Sequence, residues 1–187
     1  MRRAVDLRNV RKWLWPALLT NPILFGLAFV ISRWSGADIP DPVVSPISAL
    51  ALFALFLPAA MLEEVGWSGF ALDRLQARFS PVRAALLLGV FWALWHVPTL
   101  MQAGRALDWI AWWFLWTVSA RLIMVRLYNW AGGSVMAVAL YHALSNLCWQ
   151  LYPISGSYFD PSISGLVTFA AAVIVFLFSR NIEPSDN

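Results

Sequence analysis

The sequence contains several long apolar runs, each close to the length of a helix that crosses a bilayer. Such a helix needs about 20 consecutive, mostly apolar residues. The runs occupy approximately residues 13–32, 43–72, 83–100, 108–128, 133–151 and 161–179. Because lipid offers no partner for unpaired backbone groups, and the runs exceed the alternating segments of about 10 residues typical of membrane strands, helices are favoured over a barrel. The sequence therefore predicts an all-α transmembrane bundle of about six helices.

The composition excludes an ordinary soluble domain and a nucleic-acid-binding role. Of the 187 residues, 60% are hydrophobic and 12% are charged, whereas soluble domains carry about 25% charged residues. The net charge of +3 therefore reflects the loops, and membrane lipids are the expected surroundings. Neither a repeat nor a change of composition divides residues 1–187, which predicts a single transmembrane domain. Pro16 and Pro22 interrupt the first run and no small-residue cleavage site follows it, so we expect a retained helix.

The basic residues alternate between the two sides of the predicted bundle. With the N-terminus placed in the cytoplasm, the cytoplasmic set comprises Arg2, Arg3, Arg8, Arg11, Lys12, Arg74, Arg78, Arg83, Arg121, Arg126 and Arg180. Only Arg33 and Arg105 fall on the opposite side. The positive-inside rule then predicts that both termini are cytoplasmic. The lack of an organelle signal favours a bacterial cytoplasmic membrane.

Five polar residues lie deep inside the apolar runs. Glu63 and Glu64 are adjacent in the second run, His96 lies in "WALWHVP", and His142 and Asn146 lie in "YHALSN". Ionisable groups within a membrane are costly and usually functional. Counting from the loops at 1.5 Å per residue places these side chains roughly 14–20 Å deep in a hydrocarbon core of about 30 Å. The sequence therefore predicts one polar site buried within the membrane.

These residue types suit hydrolysis by an activated water molecule. Neighbouring helical residues point about 100° apart, so one of Glu63 and Glu64 is expected to act and the other to support it. A glutamate with an imidazole can activate water, and Asn can donate to an oxyanion. Two imidazoles and a carboxylate also suit a hydrolytic zinc site, with Glu63, His96 and His142 as possible ligands. The residues alone leave a divalent metal and a metal-independent glutamate mechanism equally open.

Local signals predict irregularities near the site and the starts of two helices. Pro58 and Pro98 each remove a backbone hydrogen bond close to the polar residues, so a bend or a break is expected there. Ser134 is placed to cap the fifth helix, and Asp160 followed by Pro161 suits the start of the sixth.

Three stretches, "EEVGWSGF", "WALWH" and "YNWAGGSVMAVALYHALSN", together resemble the CPBP family of intramembrane CAAX-type proteases and bacteriocin-processing (Abi) or self-immunity proteins. The similarity runs from about residue 62 to residue 146. It implies an intramembrane endopeptidase whose protein or peptide substrate enters from the membrane or the cytoplasmic side. Carried over position by position, Glu63 and His96 would activate water, while Glu64, His142 and Asn146 would complete the site or stabilise the oxyanion. The resemblance leaves metal dependence open.

The sequence departs from the family pattern at two positions. The pattern EExxxR has Ser68 in its last position, and FxxxH has Trp92 in its first. A guanidinium four residues after Glu64 would pair with that carboxylate, and without it the two adjacent acids are expected to share a proton. Arg121 and Arg126 are candidates for the missing charge, but their place near the predicted boundary favours snorkelling. Ser68 thus keeps an alternative open, a non-catalytic immunity or scaffold protein.

Overall fold

The structure, a computed structural model, describes residues 10–178 and contains no strand within that range. Its helices are α1 Val10–Trp34, α2 Pro46–Gln76, α3 Pro81–Gln102, α4 Leu107–Trp130, α5 Val135–Leu151 and α6 Pro161–Phe178. Each helix corresponds to one of the apolar runs, so the predicted all-α bundle is confirmed. Residues 1–9 and 179–187, which carry Arg2, Arg3, Arg8 and Arg180, lie outside the described residues.

The helices have the length and surface of a protein embedded in lipid. Four stretches, Lys12–Trp34, α2, α3 and α4, are long and apolar enough to cross a membrane, and Pro161–Leu177 is a shorter apolar helix. Large apolar side chains cover the outside, such as Leu62 at 79% exposure and Phe91 at 67%. On long apolar helices, exposure of this kind is typical of a surface that contacts lipid tails. The protein is therefore an integral membrane protein, while its orientation stays a prediction.

Two helices begin where the sequence predicts. The Ser134 hydroxyl accepts a hydrogen bond from the backbone N–H of Ala137 at the start of α5. The Asp160 carboxylate accepts one from the backbone N–H of Ser162, at 2.8 Å, at the start of α6. Both bonds satisfy backbone donors that have no partner within the helix.

The irregular backbone lies elsewhere than the prolines suggest. Pro58 and Pro98 lie inside continuous helices, so the predicted bend or break is not a break at either of them. Instead, α2 changes after Gly66 into a π-helical turn, Trp67–Leu72, before its last α-helical turn. Turns of this kind are rare and frequently occur at functional sites. This one begins at Trp67, three residues after Glu64.

Helix α4 lies at the centre of the bundle. It packs against α3 on one side and α6 on the other, while α5 packs against α1 and α2. Close approach depends on small residues, because a methyl group on Gly165 would lie 3.2 Å from the carbonyl oxygen of Trp112. Helices α2, α3, α4 and α5 together surround the polar site.

Helices α2 and α3 separate from each other along most of their length. Among the described residues, the part of α2 that spans Pro46–Gly66 has no Cα atom within 8 Å of one in α3. The two helices meet only through the π-helical turn and the short segment after it. Packed helices approach to 8–10 Å between axes, so α2 and α3 are not packed against each other outside this region.

Candidate active site within the membrane

Glu64 is the centre of the polar site and its side chain is completely buried. The Arg121 guanidinium donates two hydrogen bonds to it, from Nη1 to Oε2 at 2.8 Å and from Nη2 to Oε1 at 3.1 Å. The Ser68 hydroxyl donates to Oε2 at 2.5 Å, and Nδ1 of His142 lies 3.0 Å from Oε1. Each oxygen thus has two donors, an arrangement suited to an ionised carboxylate.

The buried position of Arg121 overturns the expectation that this side chain would snorkel to the cytoplasmic boundary. Its side chain has 0% exposure and points into the bundle. An unpaired carboxylate at the position of Glu64 would be costly, and Arg121 offsets that cost. Arg121 therefore does not belong among the loop charges, and Glu64 has no need to share a proton with Glu63. The one sequence signal for this role was the position of Arg121 inside an apolar run. Its partner, Glu64, is 57 residues away and could not be identified from the sequence.

Glu63 has the opposite environment. Its side chain is exposed and forms no hydrogen bond or ion pair within the described part of the chain. Successive helical residues point in different directions, so this split follows from the helix once Glu64 faces inward. The lone pairs of Glu64 are occupied, whereas those of Glu63 are available.

Both histidines hold one ring nitrogen in a hydrogen bond and leave the other available. Nδ1 of His96 lies 2.7 Å from the carbonyl oxygen of Trp92. A carbonyl can only accept, so this Nδ1 carries the proton. Nδ1 of His142 likewise donates to the Glu64 carboxylate. Partners of this kind fix the orientation of an imidazole and leave Nε2 for chemistry.

Trp92 connects the charged centre to the two imidazoles. Its ring centroid lies 5.5 Å from that of His96 and 5.1 Å from that of His142, both in edge-on contact. The Arg121 guanidinium lies over the same ring at 4.1 Å. Trp113 of α4 contacts the other side of the site, with its ring 5.1 Å from His96. Trp92 thus packs against Arg121 and His142, the two neighbours of Glu64 that can carry a positive charge.

Asn146 lies one turn after His142 on α5 and is partly buried. Its side-chain amide forms no hydrogen bond within the described residues. The amide group is therefore available to a ligand. The structure brings Ser68, Arg121 and His142 into direct contact with Glu64, but shows no contact between them and the Asn146 amide.

The arrangement does not fit the predicted zinc site. No group of three or more His, Cys, Asp or Glu side chains among residues 10–178 is placed to hold a metal ion. Glu63, His96 and His142 are therefore not assembled as a ligand set. A structural or catalytic zinc site requires at least three such protein ligands.

The fold and the site define a polytopic membrane protein with a buried glutamate, arginine and histidine centre between its helices. The chain belongs to the type II CAAX prenyl endopeptidase Rce1-like family, whose model matches residues 44–148. It is 32% identical over 175 residues to CAAX prenyl protease 2 of Methanococcus maripaludis. That alignment covers 87% of this chain and 63% of the relative, so the chain spans less than two thirds of the relative's length. The five predicted site residues all lie in the range that the family model matches.

Proposed function

We propose that the protein is an intramembrane endopeptidase of the CAAX-protease type. It would hydrolyse a peptide bond of a membrane-associated protein or peptide. The observation that carries this proposal is the contrast between the adjacent glutamates. Glu64 is fully bonded, whereas Glu63 is exposed and has no partner among residues 10–178. Family membership and the name of the methanococcal relative support the same activity.

In the proposed reaction, Glu63 acts as the general base. Its carboxylate takes a proton from a water molecule while Nε2 of His96 orients that water, and the resulting hydroxide attacks the scissile carbonyl carbon. The amide of Asn146 donates to the oxyanion that forms. Glu63 then returns the proton to the leaving amine as the C–N bond breaks. Glu64 contributes indirectly, because it accepts a hydrogen bond from His142 and fixes the orientation of that imidazole.

The apolar surface of the helices that carry the site supports a substrate that is itself in the membrane. Leu62, the residue before Glu63 on α2, and Leu94 on α3 are 79% and 53% exposed, so a lipid-modified segment would find apolar side chains on the surface of both helices. The relative is named a CAAX prenyl protease. We therefore take a prenylated C-terminal peptide as the first substrate to test.

The non-catalytic alternative loses the observation that motivated it. It was based on Ser68, which stands where the family pattern has an arginine. In the structure Arg121 supplies a guanidinium to Glu64, and Ser68 donates to the same carboxylate. The departure in sequence therefore gives no reason to expect an inactive site.

Cleavage by purified protein in nanodiscs tests the proposal. A prenylated CAAX peptide and the same peptide without the prenyl group serve as substrates. Glu63→Gln should lower the rate by about 100-fold or more, as expected for loss of a general base, and leave thermal unfolding unchanged. Asp38→Asn, which removes an exposed acid outside the bundle, is the matched control. A folded wild type that cleaves neither peptide, or a fully active Glu63→Gln variant, would contradict the proposal.

A further inference from the structure

We propose that Arg121 is a positioning residue for this site and is held in place by packing against Gly89, Trp92 and Ser68. Arg121 performs the role that an arginine at position 68 has in the family pattern. The inference rests on the proposed peptidase function. In this role Arg121 does not contact the substrate. Its action is exerted on Glu64 and, through Glu64, on His142.

The guanidinium fixes the plane of the Glu64 carboxylate. Two parallel N–H bonds, at 2.8 and 3.1 Å, hold both oxygens at once, which a single point charge cannot do. Oε1 accepts from Arg121 Nη2 and from His142 Nδ1 together. A rotation of the carboxylate would therefore move the acceptor of His142. Arg121 thus sets both the tautomer and the direction of that imidazole.

Gly89 of α3 leaves space for the Arg121 side chain where α3 packs against α4. A methyl group on Gly89 would lie 3.2 Å from Cβ of Arg121 and 3.3 Å from Cα of Val118. Both distances are too short for comfortable van der Waals contact, so only glycine allows the helices to approach this closely. The stem of Arg121 occupies the space that results.

Two further residues pack around the Arg121 guanidinium. The face of Trp92, one turn after Gly89, lies 4.1 Å from it, and tryptophan is the strongest aromatic partner for a cation. On α2, Ser68 is fully buried and small, and its hydroxyl shares Oε2 with Nη1 of Arg121. Both departures from the family pattern, Ser68 and Trp92, therefore contact this one ion pair.

Moving the arginine between the two positions tests the inference. We would compare wild type, Arg121→Ser, Ser68→Arg and the double variant Ser68→Arg/Arg121→Ser by cleavage of the prenylated peptide. Arg121→Ser should lower kcat by about 100-fold, the effect of a misplaced catalytic group, with KM nearly unchanged. The double variant should recover at least about tenfold of that loss, because the guanidinium again reaches Glu64 from one turn away. Arg83→Gln, which removes an exposed arginine, is the control.

A spectroscopic readout separates this inference from the proposed function. The chain has only two histidines, so ¹⁵N-histidine NMR resolves each ring. In wild type both should show the Nδ1–H tautomer. Arg121→Lys keeps the charge but loses the fork, and should shift or broaden His142 while His96, which bonds to the Trp92 carbonyl, keeps its signals. This result is expected even if no peptide is cleaved, in which case the function alone would fail.

Two results would overturn the inference. One is an Arg121→Ser variant that folds and retains the wild-type kcat. The other is an Arg121→Lys variant in which the His142 signals are unchanged. A double variant that is no better than Arg121→Ser would reject the equivalence of the two positions.

Discussion

Replacing Glu64 by Gln should destabilise the protein, whereas the same change at Glu63 should leave stability unaltered. The Glu64 carboxylate accepts from four donors, two on Arg121 and one each on Ser68 and His142. Gln keeps one acceptor oxygen and turns an NH₂ group towards two of those donors. The Arg121 guanidinium, at 0% exposure, would then be buried without a countercharge. Removal of one partner from a buried ion pair costs about 3–5 kcal/mol.

Equilibrium unfolding in mild detergent measures this difference. A double variant, Glu64→Gln/Arg121→Gln, completes the cycle and should be more stable than Glu64→Gln alone, because it removes the uncompensated charge as well. Glu63→Gln is the matched control on the neighbouring residue. A loss below about 1 kcal/mol for Glu64→Gln, the size of an ordinary hydrogen bond, would refute the argument that Glu64 and Arg121 form a buried, mutually dependent pair.

Further substitutions address the packing and the chemistry separately. Gly89→Ala should reduce both cleavage and stability, because the added methyl group would lie too close to Cβ of Arg121. Gly26→Ala is the control, since no atom lies within 4 Å of the added methyl group, and unfolding assays should show a neutral or slightly stabilising effect. Asn146→Ala should lower kcat by about 100-fold with the unfolding midpoint retained, as expected for an oxyanion donor; an unchanged kcat would exclude that role. Dialysis against a chelator should leave cleavage intact, and recovery of a lost activity by added zinc would instead show that a metal site assembles.

The sequence by itself determined the solvent and the helices, and it singled out candidate site residues. Apolar runs near the length of a membrane span are a local property, and each of them became one helix. Ser134 and Asp160 marked helix starts for the same reason, since a cap bonds to backbone only two or three residues away. Glu63, Glu64, His96, His142 and Asn146 became candidates because polar side chains are rare in such runs.

Only the tertiary structure decided which glutamate is buried and what neutralises it. Helical periodicity shows that Glu63 and Glu64 face different ways, but the packing of α2 against α5 selects Glu64 as the inward one. The snorkelling predicted for Arg121 was wrong, because depth along a helix does not fix the direction in which the helix turns its side chains. That direction depends on Gly89 and Trp92 of another helix. The ion pair joins residues 57 positions apart, and such a contact exists only once the helices have packed.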